Sequence, residues 1–482
     1  MSATASDQTE TRGEIAEREA VVPSQPEWRR FVWPISIAIA VGLVARLVAT
    51  YRLSVRSSDS FLYEELARNW LRYGIYGVFH GGVPAPTDLR LPGYPAFIAG
   101  VYRVFGESLR ALTTAQAFVD VLTCIGCGML SALIAPRDRR MRAATAAIWL
   151  AALSPSMIGA SATALTETLS AFFTVAVLVV LALVIGPGAE KERVTQAFPL
   201  LGLLGVGLLT GMGTLVRPEA PLLLVAVFVG LLLRFWRTWS WRKLTVAAGV
   251  TVLGMALPLA PWTARSWRLP GEVHLLTPLR PLPGSSGGYT LWLHTWLWRA
   301  EDRDGPAWAS KNVAEFPPQA FDSPQERALV GELLSAGSQN SGSAQLRMQQ
   351  AFASLASRRT ERHPLRTLII VPAGRAWTMW FDRGMHTRHI LLGSIKLDNA
   401  ANVAIKAFAI LSYLLAIAGA CLCWRVPVVG AMVALLVIRT GFFTLVDVPE
   451  PRYMLVLFPI IFALAGRAVA ALSRKDLAWS RG

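Results

Sequence analysis

Apolar positions along this chain come in long blocks separated by short polar or basic stretches. A helix needs about 20 apolar residues to cross a bilayer. Ten blocks approach that length, near 31–51, 109–135, 143–160, 164–186, 198–216, 219–235, 244–262, 402–423, 426–446 and 453–471. The expected fold is an all-α polytopic membrane protein with about ten transmembrane helices. After the first block, Ser60 to Tyr73 has helical spacing. Phe61, Leu62, Leu66, Trp70 and Tyr73 would face the membrane, and Glu64, Glu65, Arg68 and Arg72 would face water. That pattern predicts an amphipathic helix in the first outer loop.

Residues 263–364 mix Gly, Pro, Ser, Trp and charge, as expected of a small mixed outer domain. Residues 365–381, LRTLIIVPAGRAWTMWF, are too short and interrupted to span, and their two tryptophans suit an interfacial helix. The expected organisation is a disordered cytoplasmic tail over 1–28, an N-terminal transmembrane catalytic module over 29–262 with outer loop 52–95, an outer segment over 263–400, transmembrane helices over 401–472 and a cytoplasmic tail over 473–482. The polar N-terminus has no apolar core, so targeting is expected to rest on the first span.

Composition sharpens this picture. Of the 482 residues, 53% are hydrophobic and only 16% charged, against about a quarter charged in soluble domains. The net charge of +16 carries no nucleic-acid motif, so no nucleic-acid partner is expected. Arg137, Arg139, Arg140, Arg142, Arg234, Arg237, Arg242 and Lys243 follow alternate blocks. The positive-inside rule then places both termini in the cytoplasm. Cys124 and Cys127, three residues apart within an apolar block, read as small packing residues rather than a redox or zinc pair.

On this topology the polar residues at the block edges share the outer face, where a charge is costly enough to need a reason. Asp59 precedes the amphipathic helix, as an N-cap or as a reactive acid. Glu167 opens an apolar helix where Ala164 makes a poor cap. Arg217, in RPE, and Arg452-Tyr453 lie at outer boundaries, where each arginine could snorkel. With Arg90, in DLRLPGYP, the arginines could surround a phosphate. Pro92, Gly93 and Pro95 would shape a rigid threshold to the second span.

In order and sidedness these features resemble the multi-pass GT-C glycosyltransferases, most closely the dolichyl-phosphate-mannose–protein mannosyltransferase and aminoarabinose-transferase-like branch. The matching pieces are SSDSFLYEELARNWLRYG, DLRLPGYPAFIAG, TETL, GTLVRPEAPLLL, APWTARSW and PRYMLVLFP. The resemblance covers most of residues 31–471 and implies a GT-C-like fold. It also implies sugar transfer from a polyprenyl-phosphate-linked donor to an acceptor hydroxyl on the outer face of the cytoplasmic (inner) membrane. Asp59 matches the catalytic acid, which would serve as general base, and Glu167 matches the second acid. Arg217, Arg452 and Tyr453 match positions near the donor phosphate, which Arg90 would join. Tyr94 and Trp292 are candidates for acceptor or sugar binding. Many relatives carry two adjacent acids where this chain has Ser58-Asp59-Ser60, so no cofactor is assigned and a divalent metal stays open. Lipid, glycan and protein acceptors all stay open, beside membrane lipids as partners. The rival readings are a transporter or flippase for lipid-linked or anionic solutes, with Arg439 and Lys406 as midplane charges, and a glycan polymerase or ligase using lipid-diphosphate donors.

Overall fold

The structure, a computed structural model, describes residues 28–186, 197–268, 276, 287–299, 313–337, 342–381, 399–445 and 449–472. Helix α1 (Arg29–Leu53) leads into α2 (Ser58–Tyr73), and an antiparallel hairpin of β1 (Gly77–His80) and β2 (Val83–Pro86) follows. The short α3 (Gly93–Phe105) precedes α4 (Leu109–Ile134). Next comes a pair bent by 59°, α5 (Arg140–Ala152) and α6 (Pro155–Ser161). The N-terminal bundle is completed by α7 (Glu167–Ile185), α8 (Ala197–Val216), α9 (Leu222–Phe235) and α10 (Trp241–Ser266). Beyond it lie α11 (Gly288–Leu293), α12 (Pro324–Gly337), α13 (Gly342–Arg362) and α14 (Val371–Phe381). Helix α15 (Asn399–Leu422), α16 (Pro427–Thr444), a 3₁₀ turn (Pro451–Leu457) and α17 (Phe458–Ala471) end the bundle.

Among the described residues, eight helices are long and apolar enough to cross a membrane, and the bent pair makes up to nine. The remaining expected span is α9, only 14 residues long. At 1.5 Å per residue it reaches about 21 Å, short of the ~30 Å hydrocarbon core. The expected tails over 1–27 and 473–482 lie outside the described residues.

Buried polarity holds the bundle together. At the α5–α6 break the regular helix ladder stops, the Ala151 carbonyl keeping a turn bond from Ser154 N at 3.3 Å, and helix-end carbonyls away from water need further donors. Arg46 of α1 donates to the carbonyls of Ala151 and Ala152, at 3.1 and 3.0 Å, while its Nε meets Asp120 of α4 at 2.6 Å. Arg46 and Asp120 are both buried. One guanidinium thereby ties three helices together. Helices α8 and α10 approach more closely than side chains allow. A Cβ on Gly254 would sit 2.5 Å from the Leu204 carbonyl, and Gly207 and Gly211 face the α10 backbone in the same way.

The expected threshold at DLRLPGYP is corrected. It opens α3, a separate helix ended by Gly106 at φ 79°, instead of leading into the second span. Gly93 is required because a Cβ there would lie 2.6 Å from the Leu215 carbonyl carbon. The motif therefore seats α3 on the last turn of α8, next to Arg217. Helix α2 also differs from its expected orientation. Glu64 is fully buried, not in water, because Arg56 (2.6 Å), Arg68 (2.5 Å) and Tyr102 (3.0 Å) satisfy it. Leu66 packs with Tyr76, Leu91 and Trp262 instead of lipid, while Phe61 and Tyr73 stay exposed. Tyr76, Leu91 and Trp262 bury only Leu66 of the face that periodicity assigned to the membrane, while α3 covers the side that carries Tyr63, Glu64 and Ala67.

The segment that carries α11 to α13 has its own aromatic core of Tyr289, Trp292, Trp296, Phe316 and Phe352. A π turn (Arg366–Ile370) leads into α14, leaving Leu365, Leu368, Ile369, Ile370 and Trp377 exposed as an apolar stripe. Arg375 fastens α14 to both layers, donating to Leu297 O at 2.7 Å and Thr444 O at 2.9 Å.

Removing one partner of a buried ion pair costs about 3–5 kcal/mol, because the other charge is left uncompensated. Asp120→Ala should therefore lower the thermal midpoint of detergent-purified protein sharply. Removing both charges, as in Arg46→Met with Asp120→Leu, should cost markedly less. Equal losses in the two variants, read by thermal unfolding, would show that the pair does not act as a unit.

Candidate functional site

The loop after α1 is fixed first. Val55 forms a parallel bridge with Thr163: its N–H donates to Ala162 O at 3.1 Å, and Ala164 N donates back to Val55 O at 3.2 Å. Ser60 Oγ donates to Ala164 O at 2.7 Å. From below, Gln116 Nε2 donates to Ser161 O and Thr163 O at 3.0 and 2.7 Å. Tyr94 orients that amide by donating to Gln116 Oε1 at 2.6 Å. The segments carrying Asp59 and Glu167 are thus bonded to one another.

Capping resolves the two readings of Asp59. Ser57 is the N-cap, and its N–H donates to Ser60 Oγ at 2.9 Å. Asp59 lies in the first turn with its carboxylate turned to arginines: Arg90 Nη2 at 3.1 Å and Arg452 Nη2 at 3.4 Å. Glu167 is buried, and its Oε1 meets Arg217 Nη1 at 3.1 Å and Arg452 Nε at 3.8 Å. Arg217 also donates to Thr166 Oγ1 at 3.0 Å and pairs with Glu219. Glu219 in turn meets Arg439 at 3.2 Å, and Arg452 pairs with Glu450.

The result is a ladder of alternating charge at one end of the bundle. Arg90, Arg217, Arg439 and Arg452 face Asp59, Glu167, Glu219 and Glu450, four against four. The guanidiniums of Arg217 and Arg452 lie 5.4 and 5.6 Å from the Tyr453 ring, which stacks on Phe443 at 4.5 Å. Among the described residues, three buried polar atoms in the ladder make no hydrogen bond: Glu167 Oε2, Arg90 Nε and Arg452 Nε, the last still ion-paired with Glu450. Such atoms in a packed interior call for a ligand or water.

The structure therefore brings together six of the expected site residues: Asp59, Arg90, Glu167, Arg217, Arg452 and Tyr453. It does not bring in the other two. Tyr94 is fully buried with its hydroxyl committed to Gln116, and Trp292 is fully buried in the aromatic core of the α11–α13 segment. Four participants were not picked out by sequence as members of this site. Glu219 and Glu450 stand two residues from expected arginines, a spacing visible in the sequence. Arg439 is drawn in by a partner 220 positions away. Tyr63, four residues after Asp59 and so on the same helical face, has Arg90 at 5.9 Å and Tyr94 at 5.1 Å. Burial raises its pKa against the opposing pull of Arg90, so the phenol keeps its proton and can donate.

Metal binding finds little support in this donor set. Asp59 and Glu167 are each engaged by arginines. Among the described residues, no group of three or more His, Cys, Asp or Glu side chains could hold an ion. His386 and His389 lie outside the described residues.

Residues 86–262 match the dolichyl-phosphate-mannose-protein mannosyltransferase family. No curated protein matches the chain. Among solved structures, it is similar to the oligosaccharyltransferase AglB from Archaeoglobus fulgidus in complex with an inhibitory peptide and a dolichol-phosphate. The identity is 15% and the TM-score 0.54, covering 95% of this chain and 52% of that one. The apo form of the Archaeoglobus fulgidus oligosaccharyltransferase gives 16%, 0.52, 94% and 51%. ArnT from Cupriavidus metallidurans bound to undecaprenyl phosphate gives 16% and a TM-score of 0.39, covering 90% of this chain and 77% of that one. The chain spans about half the length of the oligosaccharyltransferase it matches.

Glu219 supplies a pH prediction. Burial works to raise its pKa, but Arg217 and Arg439 overcome it and hold the carboxyl at about 2, below the ordinary 4.5. A depressed carboxylate adds stability above its unfolded pKa, about 3 kcal/mol here, and loses it as pH falls through the folded value. Thermal midpoints should therefore drop as pH falls from 4.5 towards 2. Glu219→Gln should flatten that part of the curve and lower the midpoint at pH 7. An unchanged pH profile in the variant contradicts the pairing.

Proposed function

We propose that the protein is a GT-C-like membrane glycosyltransferase, a reading supported by the match of residues 86–262 and by the likeness of its fold to the oligosaccharyltransferase. It would move a sugar from a polyprenyl-phosphate-linked donor to an acceptor hydroxyl. The observation that carries this reading is the charge ladder: three arginines converge beside two carboxylates, with buried polar atoms left unsatisfied. The similar oligosaccharyltransferase structure holds a dolichol-phosphate, which is in keeping with a lipid phosphate as ligand.

In the reaction, the acceptor oxygen forms a bond to the anomeric carbon while its proton passes to the Asp59 carboxylate. The bond between the anomeric carbon and the phosphate oxygen breaks, and its electron pair leaves on the lipid phosphate. Arg90, Arg217 and Arg452 hold that developing charge through fork-shaped donors. Attack opposite the leaving group inverts the anomeric centre. Glu167 Oε2, unpartnered and buried, accepts a hydroxyl of acceptor or sugar. Tyr453 keeps two guanidiniums in place by cation–π contact.

The site lies at the opposite end of the spans from the basic clusters at 137–142 and 234–243. By the positive-inside rule this favours the outer face of the cytoplasmic membrane. A transporter is less well supported. Arg439 is committed to Glu219, and Lys406 is exposed near one end of α15.

Asp59→Asn keeps the shape of the site and removes the base. Transfer from a radiolabelled polyprenyl-phosphate sugar, in membranes with matched expression, should fall by about a hundredfold or more. Near-normal turnover by this variant would sink the assignment of Asp59.

A further inference from the structure

Arg439 is a buried charge of the ladder that the proposed chemistry does not use. It sits in α16 at 4% exposure, where an unpaired guanidinium would be prohibitive. Its Nη2 donates to Glu219 Oε1 at 3.2 Å, and its Nε donates to the Tyr453 carbonyl at 3.2 Å. Its guanidinium also lies 4.8 Å from the Phe443 ring, which in turn stacks on Tyr453. These partners belong to two segments distant in sequence. Glu219 lies in the turn from Arg217 to Pro221 and binds Arg217 Nε through the same oxygen that Arg439 contacts. Tyr453 lies in the 3₁₀ turn beside Arg452.

From this geometry we infer that Arg439 is a positioning residue for the arginines that bind the donor phosphate. It rests on the reading of the ladder as a lipid-phosphate site. One rigid fork grips the Arg217 turn through Glu219 and the Arg452 turn through a carbonyl, and so sets the spacing between two guanidiniums that both face Glu167. Arg439 also supplies a second cation to Glu219, so that carboxylate does not hold Arg217 alone. Lysine could not replace it, because a single ammonium lacks the planar fork that serves two acceptors in fixed directions.

The ion pair of Arg46 and Asp120 is the proper comparison. It is equally buried but staples α1, α4 and α5 away from the ladder, and so tests destabilisation alone. The probe is undecaprenyl phosphate alone, its binding measured directly on purified full-length protein in detergent. Arg439→Lys should raise the dissociation constant about tenfold or more, since weakening one charge-assisted contact to the phosphate by about 1.4 kcal/mol is a factor of ten. Arg46→Lys, assayed well below its thermal midpoint, should leave binding within about twofold. Glu219→Asp keeps the charge and shortens the link, so it provides the same reading if Arg439→Lys fails to fold. Wild-type affinity in a folded Arg439→Lys or Glu219→Asp overturns the inference, as does equal weakening by Arg46→Lys. Failure of the wild-type protein to bind the probe would instead count against the lipid-phosphate site itself.

Discussion

A charge enclosed at the end of a helix bundle must find its opposite, and Arg452 finds three. Asp59, Glu167 and Glu450 all approach it, from the first loop, the start of α7 and its own turn. That demand organises this end of the bundle. It draws the first loop over the junction at 161–167, and from Glu167 it extends through Arg217 and Glu219 to Arg439. Neutrality lets Glu167, Glu219 and Arg439 be buried, with Asp59 and Arg90 half-buried at the edge of the ladder. Its unsatisfied atoms, Glu167 Oε2 and Arg90 Nε, mark where a further polar group is wanted.

The supporting structure is mostly backbone held by neutral side chains. Gln116, Ser60 and Tyr94 fix the carbonyls of the junction, so Asp59 and Glu167 can spend their charge on arginines instead of on capping. Ser57 and Ser60 complete the cap that frees Asp59. Gly93 lets α3 lie on the end of α8, one residue pair from Arg217. Rigid support of this kind is what a reaction needs when its geometry has to be set before substrate arrives.

What the sequence disclosed follows from what a membrane penalises. Charges at the edges of apolar blocks are conspicuous, so Asp59, Glu167, Arg217 and Arg452 could be picked out and put on one side. Their pairing was not visible, because Arg439 and Glu219 are 220 positions apart and Arg46 and Asp120 are 74 apart. Helical periodicity found α2 but misassigned Glu64 and Leu66, since a moment cannot tell a covering of protein from a covering of lipid. Aromatic residues carry the same ambiguity. Trp292 in a polar segment reads alike as a sugar platform or a core residue, and in the fold it is core.

The account stands on the ladder being a phosphate site with Asp59 beside it. The most direct measurement is an electron cryomicroscopy map of the protein with a polyprenyl phosphate bound. Phosphate density is expected within hydrogen-bond distance of Arg217 and Arg452, with the Asp59 carboxylate set apart from it by the space the sugar would fill. Phosphate density away from both arginines, with the ladder unchanged, would contradict it.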